Sequence, residues 1–475
     1  MSQGNTFCHL EGKIDLRPPC RIHMVGIGGI GMQGLALLAV HLGFRVSGSD
    51  REEREGIKGL RAAGVSVWIG EDAAQVDGAA AAVYSLAVPE DSAELRRARE
   101  NGIPVYSRAD LLGFLGGFFS VRIGIAGTHG KSTVTAMVGQ ILRAAGRSPT
   151  VLCGAMMQGN TPFWAGEGDV FVYEACEYGD SFLATSPTVA AVTNVEFDHP
   201  DWFRNPEAVR SSFLRYLRKP SVEAAILPSG ESLRESLLGD VRCATFGEGG
   251  TVWASKVSWR GACASFLLAE RGMEPVGVHL GAAGEFQVEN ALCAAAVCRN
   301  VGVLTGDVVK GLEAYRGIGR RMERLGEWGG AAVYCDYAHH PTEIALSLAT
   351  AHRLKGSGRA VTVFQPHTYS RTQALYREFA KALRGAECLA ILAPYAARET
   401  KDPLQSAEHL AEDLGAIYLP DRERAREWIR EHAGKGDAVF LVGAGDVANL
   451  LAREEVNPPR ECGRQERDSC TPSPP

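Results

Sequence analysis

No stretch of this 475-residue sequence offers the ~20 consecutive apolar residues that a membrane-crossing helix needs. Its first segment, Met1–Arg21, lacks the apolar centre of a secretory signal, so a cytoplasmic protein is expected. Basic charge is not in excess. Lys and Arg number 50 against 56 Asp and Glu, a net charge of −6, which argues against nucleic acid or a membrane surface as partner. Twelve cysteines are present, but none forms a C-x-x-C or a mixed Cys/His ligand spacing. Cys153, Cys293, Cys298, Cys335 and Cys388 lie in apolar surroundings and read as buried, reduced thiols. Cys462 and Cys470 read as free thiols in a tail that turns, from about Asn457, to Pro, Arg, Glu and Ser. That tail has little to bury and is expected to be disordered.

Against these absences stands a recurring strand–turn–helix rhythm. With 45% apolar and 22% charged residues, the chain reads as a globular α/β protein of about two to four domains. The organising stretch is Val121–Thr133. Its apolar, β-branched start, Val121 to Ala126, reads as a buried strand. Gly127-Thr128-His129-Gly130 is a tight turn, and Lys131-Ser132-Thr133 opens a helix through Leu142. This is the order of a phosphate cradle: glycines let backbone approach phosphate oxygens, and a helix start supplies N–H groups and a favourable dipole. Lys131 is placed on the outer phosphates and the Ser132 hydroxyl on Mg²⁺. The stricter pattern has glycine six residues before the lysine, where this chain has Ile125.

Before that stretch comes a second glycine turn. A strand at Ile22–Val25 leads into Gly26-Ile27-Gly28-Gly29-Ile30-Gly31, a helix runs through Leu42, and a strand from Phe44 ends at Asp50. G-x-G-x-x-G with a carboxylate about 20 residues on is the dinucleotide fingerprint. Taken alone it suggests a nicotinamide oxidoreductase. UDP-linked sugars present the same pyrophosphate and ribose, so both readings stay open. Further strands at Val65–Ile69, Ala80–Ser85 and Ile103–Tyr106 complete a first module, residues 20–117. A second, 118–318, has strands ending at Glu174 and near Asn194, others at Ala224–Leu227 and Val252–Trp259, and a helix Val288–Arg299. A third, 319–456, has strands at Ala331–Asp336, Arg359–Phe364, Leu389–Ala393 and Ala438–Val442; residues 457–475 are the tail.

Polar groups at the carboxyl ends of parallel strands sit where α/β sheets bind ligands. Phosphoryl transfer needs cations spread over several oxygens, and Mg²⁺ prefers oxygen ligands. Ser132 and Glu174 suit a first ion; His199 is an unusual Mg²⁺ ligand but could hold a second ion shared with an acidic substrate. The alternatives are a strand-end salt bridge for Glu174 and a hydrogen-bonded loop histidine for His199. Arg320-Arg321 could reach a phosphate or could be a solvated linker pair. The adjacent His339-His340 could be ligands or structural.

Taken together, His23 to Met32, Val46 to Asp50, Gly127 to Thr133, Glu174 to Tyr178, Thr193 to Asp201, Asp336 to Glu343 and Phe364 to Thr372 resemble the Mur ligase family. The resemblance covers about residues 20 to 455, and it accounts for Ile125, because that family's loop is Gly-Thr-His/Asn-Gly-Lys. It implies a UDP-sugar-binding Rossmann-like N-terminal domain, a central P-loop ATPase domain and a Rossmann-like C-terminal domain that closes over an amino acid. It implies that Gly28, Gly29, Ile30, Gly31, Ser49, Asp50 and Ser85 hold the UDP-sugar. It implies that Gly127, Thr128, His129, Gly130, Lys131, Ser132, Thr133, Asn290, Arg321 and Asp336 hold ATP, with Ser132, Glu174 and His199 on magnesium. Tyr337, His339 and Arg371 would lie near the amino acid. Lys131, Glu174, His199, Arg321 and His339 form the implied catalytic set.

Three departures stand out. Thr368 occupies a position where some relatives carry arginine, Gln287 one where asparagine is usual, and Glu207–Tyr216 has no lysine to carbamoylate. The implied activity is ATP-dependent joining of L-alanine to the lactyl carboxylate of UDP-N-acetylmuramate through an acyl phosphate, for peptidoglycan precursors, by a monomer or weak homodimer. Rival readings are a recycling ligase that adds a whole peptide, a nicotinamide oxidoreductase, and a non-catalytic nucleotide-binding regulator.

Overall fold

The computed structural model describes residues 14–237, 241–397, 399, 406–451 and 456–457. The expected tail beyond Asn457, with Cys462 and Cys470, lies outside the described residues. By internal contacts the chain forms two compact units. The first takes in the chain up to Val195 with Arg210–Phe246 and Cys293–Gly311. The second takes in Glu196–Val209, Gly247–Leu292 and the chain from Leu312.

The first unit carries a five-stranded sheet: β1 (Arg21–Val25), β2 (Arg45–Asp50), β3 (Ser66–Ile69), β4 (Ala81–Tyr84) and β5 (Val105–Ser107), in the order β3-β2-β1-β4-β5. All pairs are parallel. The order reverses between β1 and β4, and the glycine turn follows β1, so it sits at the switch point where such sheets bind ligands. The helix Ile30–His41 starts directly from that turn. Another helix, Arg108–Gly116, opens with a capping box in which Ser107 and Asp110 satisfy each other's backbone N–H groups.

The same unit carries β6 (Val121–Ala126), β7 (Thr150–Met157), β8 (Thr161–Trp164), β9 (Val170–Glu174), β10 (Val189–Val192), β11 (Ala224–Pro228) and β12 (Arg242–Phe246). They run β12-β11-β10-β6-β9-β7-β8, parallel except for the edge hairpin strand β8. β6 is therefore central, and its last four residues are buried. The lysine turn leaves its carboxyl end beside those of β9 and β10.

The second unit has an antiparallel meander, β13 (Val252–Arg260), β14 (Cys263–Glu270) and β15 (Val276–Leu280). Its other sheet comprises β16 (Glu323–Trp328), β17 (Ala331–Asp336), β18 (Ala360–Phe364), β19 (Cys388–Leu392), β20 (Ile417–Leu419) and β21 (Ala438–Val442). The order is β16-β17-β21-β18-β19-β20. Only β16 is antiparallel to its neighbour. β18 and β21 are buried throughout and, Thr362 apart, apolar, as strands covered on both faces tend to be. The result is a mixed α/β fold built mainly on parallel strands.

The strands expected from continuous apolar runs are all present within a residue or two. Cys153, Cys293, Cys298 and Cys335 are buried free thiols, as expected. Cys388 is only half-buried, because β19 exposes its first residues. Phe379 is fully buried and its ring centroid lies 5.8 Å from that of Phe364. Phe379→Ala should cost about 3–5 kcal/mol in the denaturant transition of this sheet, through lost burial and a cavity.

Candidate active site

In the lysine turn, Gly127 has φ +134°, and a Cβ there would strike the side chain of Thr193, so only glycine fits. Gly130, at φ +80°, caps the helix Lys131–Ala144. The short loop is braced by Asn194, which follows β10. Its Oδ1 accepts from the His129 N–H at 2.9 Å, its Nδ2 donates to the His129 carbonyl at 3.1 Å, and its own carbonyl accepts from Thr128 N–H at 3.2 Å. This bracing explains how the loop works without the extra glycine.

Lys131 is not left waiting in solvent. Its Nζ donates to the carbonyls of Gly127 at 2.6 Å and Thr128 at 3.0 Å, and lies 2.9 and 3.1 Å from the two oxygens of buried Glu177. Burial alone would discharge the ammonium, but Glu177, with Cys176 and Glu174, outweighs it and raises the lysine pKa. The Ser132 hydroxyl donates to Glu174 Oε2 at 2.7 Å, and the Gly154 N–H donates to the same oxygen at 2.9 Å. Thr133 is buried with its hydroxyl unpartnered among the described residues.

The first glycine turn shows the same pattern. The Gly28 N–H donates to Asp50 Oδ2 at 2.8 Å, and a Cβ on Gly28 would come within 2.7 Å of that oxygen. Gly29 is the helix N-cap, and Ile30 and Gly31 are the first helical residues. Gln33 holds the Gly28 carbonyl at 2.7 Å. Ser49 is buried and donates to Glu94 at 2.6 Å, so its hydroxyl serves the interior of this sheet rather than an open face. Ser85 closes its own turn by accepting from Ala87 N–H at 3.3 Å.

The second unit holds the remaining candidates. His199 adopts φ +56°, which a non-glycine residue takes only when its surroundings impose it. Asp198 imposes it, accepting the His199 N–H at 2.7 Å. Arg371 clamps Asp198 with two bonds, 2.7 and 3.2 Å long, and both residues are only 4% exposed. Burial would raise the Asp198 pKa, but His199, Arg371 and His339 together hold it well below the usual carboxylate range. Arg371 also contacts His367 at 3.2 Å. Its committed partners make it a brace for the Asp198–His199 loop, alongside the expected role near the amino acid.

Arg320 and Arg321 are not a solvated pair. Arg320 donates to the carbonyls of Gly443 and Gly445 at 2.8 and 2.7 Å. Arg321 donates to Glu343 at 3.0 Å, and its guanidinium lies 5.2 Å from the Tyr337 ring centroid. His340 is structural: it is the N-cap of the helix Pro341–Leu354, and its Nε2 lies 3.2 Å from the Phe197 carbonyl. His339 Nδ1 lies 3.0 Å from the Tyr337 carbonyl, so Nδ1 carries the proton and Nε2 the lone pair. Burial, then Arg371, lowers the His339 pKa well below its usual value and keeps the ring neutral. Asp336 is buried; Ser347 donates to one oxygen at 2.7 Å, and the other is unpartnered among the described residues. Asn290 is buried with Nδ2 likewise unpartnered.

Lys131, Ser132, Glu174 and the glycines thus fall together in the first unit. His199, Asn290, Arg321, Asp336, Tyr337, His339 and Arg371 belong to the second. Reading by motif missed Glu177, Asn194, Asp198 and Glu343. Each stands inside a motif that drew notice, but the partners of Glu177, Asn194 and Asp198 lie 46 to 173 positions away, and Glu343 reaches Arg321 across a strand pair. Ser132 and Glu174 form the oxygen pair that Mg²⁺ favours, and the orphaned donor of Asn290 and acceptor of Asp336 fit a nucleoside.

Comparison with known proteins gives one answer along the chain. Models of the Mur ligase family match three stretches: the catalytic domain at residues 21–119, the middle domain at 125–298 and the glutamate ligase domain at 320–445. The chain is similar to a UDP-N-acetylmuramate–L-alanine ligase of Caldicellulosiruptor bescii, 35% identical over 90% of this chain and 96% of that protein. It is similar in structure to a UDP-N-acetylmuramate–alanine ligase of Thermotoga maritima, with TM-score 0.78 and 28% identity over 94% of this chain and 99% of the other. A murein peptide ligase of Psychrobacter arcticus shares the fold, with TM-score 0.71 and 24% identity over 91% of this chain and 98% of the other.

The buried Asp336 carboxyl is pushed up to about 6 by burial, against the opposing pull of Arg321. The unfolded chain titrates it near 3.9. Between those values the folded state holds a proton that the unfolded state has lost, so this group's contribution to stability falls as pH rises through the window. At neutral pH the penalty is on the order of 3 kcal/mol. Asp336→Asn should therefore unfold at higher urea than the parent above pH ~7, and near pH ~4 the two should coincide. Identical curves at both pH values would contradict the assignment.

Proposed function

The chain belongs to the Mur ligase family, and we propose that it is an ATP-dependent ligase joining L-alanine to the lactyl carboxylate of UDP-N-acetylmuramate. The observation that carries this reading is the braced Lys131 turn with Ser132 and Glu174 at its mouth, in a chain similar end to end to ligases of that name. The nicotinamide reading leaves that turn without work. The peptide-adding reading has the weaker likeness behind it, at 24–27% identity against 35%.

The reaction divides into two steps. An oxygen of the lactyl carboxylate attacks the γ-phosphorus, the bond to ADP breaks, and an acyl phosphate forms. The amine of L-alanine then attacks the carbonyl carbon, phosphate leaves with the C–O electrons, and the amine gives up a proton. The acyl phosphate carries a good leaving group, phosphate, where the carboxylate had none. Lys131 and Arg321 are assigned to the charge that spreads over the transferring phosphoryl oxygens. Asn290 and Asp336 are assigned to the nucleoside. Gly28 to Gly31, Asp50 and Ser85 take the UDP-sugar, with Ser49 acting through Glu94. Tyr337, His339 and Arg371 are assigned to the amino acid, and His339 Nε2 accepts the amine proton.

Ser132 and Glu174, with His199, are assigned to Mg²⁺, which supplies charge neutralisation on the phosphate oxygens. Domain limits of 20–117, 118–318 and 319–456 are assigned on this reading. A cytoplasmic monomer or weak homodimer fits the nucleotide substrates, and no helix among the described residues is long and apolar enough to cross a membrane.

Phosphate release is measured with ATP, UDP-N-acetylmuramate and a panel of amino acids. Release that requires the sugar nucleotide and is fastest with L-alanine is expected; a requirement for tripeptide instead identifies the recycling ligase. Lys131→Ala should lower turnover by at least about a thousandfold while UDP-N-acetylmuramate still binds. Loss of both, or of neither, would contradict separate seats for the two substrates.

A further inference from the structure

Glu343 was not among the residues marked for function. It lies in the first turn of the helix Pro341–Leu354 and is 6% exposed. Its two oxygens face different partners. Oε1 accepts from Arg321 at 3.0 Å. Oε2 accepts from the His339 backbone N–H at 3.1 Å and lies 3.5 Å from His339 Nδ1. That nitrogen also faces the Tyr337 carbonyl at 3.0 Å, so both groups on its side of the ring are acceptors. The ring proton is held there, and Nε2 is left as the only basic nitrogen. The charged and titratable groups acting on His339 are Glu343, Asp198, Arg371 and His367; Arg321, Asp336 and Tyr337 act on the Arg321 side of the carboxylate.

We infer that Glu343 is a positioning residue: one carboxylate holds the His339 backbone and sets a negative charge beside Nδ1, on the amine side of the reaction, and fixes the direction of Arg321, on the phosphoryl side. This rests on the ligase reading above. In the second step the amine nitrogen bonds to the carbonyl carbon as the C–O bond to phosphate breaks. The departing amine proton moves to His339 Nε2. The imidazolium so formed keeps its Nδ1–H on the Tyr337 carbonyl, and the negative charge of Glu343 3.5 Å from Nδ1 stabilises it. The proton then passes to solvent. A helix-capping role alone would need the acceptor oxygens but not the charge.

Glu343→Gln keeps size and acceptor capacity and removes the charge, which separates those possibilities. With L-alanine as amine, kcat should fall at least about tenfold and the KM for L-alanine should change little. The acidic limb of the kcat/KM profile should move to lower pH, because a carboxylate that favours the imidazolium is gone. Glu343→Asp should restore the parent's limb. Placed on His339→Ala, the same Gln substitution should cost less than in the parent, the remainder being its effect through Arg321. An unmoved limb and unchanged kcat in Glu343→Gln, with His339→Ala slow, overturn this inference and leave the ligase reading standing. No phosphate release by the parent protein with ATP, UDP-N-acetylmuramate and L-alanine overturns the ligase reading itself. If Glu343→Gln does not fold by thermal melt, the Glu343→Asp profile decides: a displaced limb in spite of the retained charge rejects the inference.

Discussion

A cation taken out of water needs an anion beside it. Three such pairs set the geometry of the candidate sites: Lys131 with Glu177, Arg371 with Asp198, and Arg321 with Glu343. Breaking a pair of this kind by removing one partner typically costs about 3–5 kcal/mol, because the other charge is left buried and alone. The backbone obeys the same rule. The Gly28 N–H is met by Asp50, and the Gly154 N–H by Glu174. Donors suited to phosphate, pyrophosphate or carboxylate are thus already held by protein carboxylates. Substrate anions would replace those partners rather than enter empty ground, and the donors need not be reoriented when they do.

The sheets make this possible. In each, the polar residues cluster after the carboxyl ends of parallel strands: Gly26 to Gly31 after β1, Gly127 to Lys131 after β6, Tyr337 to His340 after β17. Buried strands fix where each chain segment emerges, and side-chain braces then fix the loops. Asn194 does this for the lysine turn, Asp198 for His199 and Glu343 for His339. Part of the backbone strain falls in the same places, although Ser148, Asn160 and Lys256 also take positive φ elsewhere. The left-handed backbone of His199 and the positive φ of Arg320 and Thr368 all occur beside candidate residues.

Much of this was legible in the sequence, for a physical reason. A strand covered on both faces tends to be apolar along its length, so β6, β18 and β21 announce themselves. The half-exposed strands β14, β15 and β16 do not, because their apolar content is diluted by residues facing solvent. Glycines with positive φ, such as Gly127 and Gly130, could be read from their setting between strand and lysine. The carboxylate partners could not. Nothing local to Glu177 says that it reaches Lys131, 46 positions away, and nothing local to Asp198 names Arg371, 173 positions away. Likewise Ser49 read as a ligand-facing hydroxyl, and only the fold shows that Glu94 holds it.

Lys131 is where the idea of held cations can be tested most directly. Equilibrium binding of ATP, with no sugar nucleotide present, is compared between the parent protein and Glu177→Gln. Without the competing carboxylate, the lysine has one less anion to exchange and the triphosphate meets less repulsion. Several-fold tighter binding in a variant that still folds, although it melts at lower temperature, is the predicted result. Weaker binding would contradict it, because it would mean that Glu177 supports the bound nucleotide rather than standing in its place.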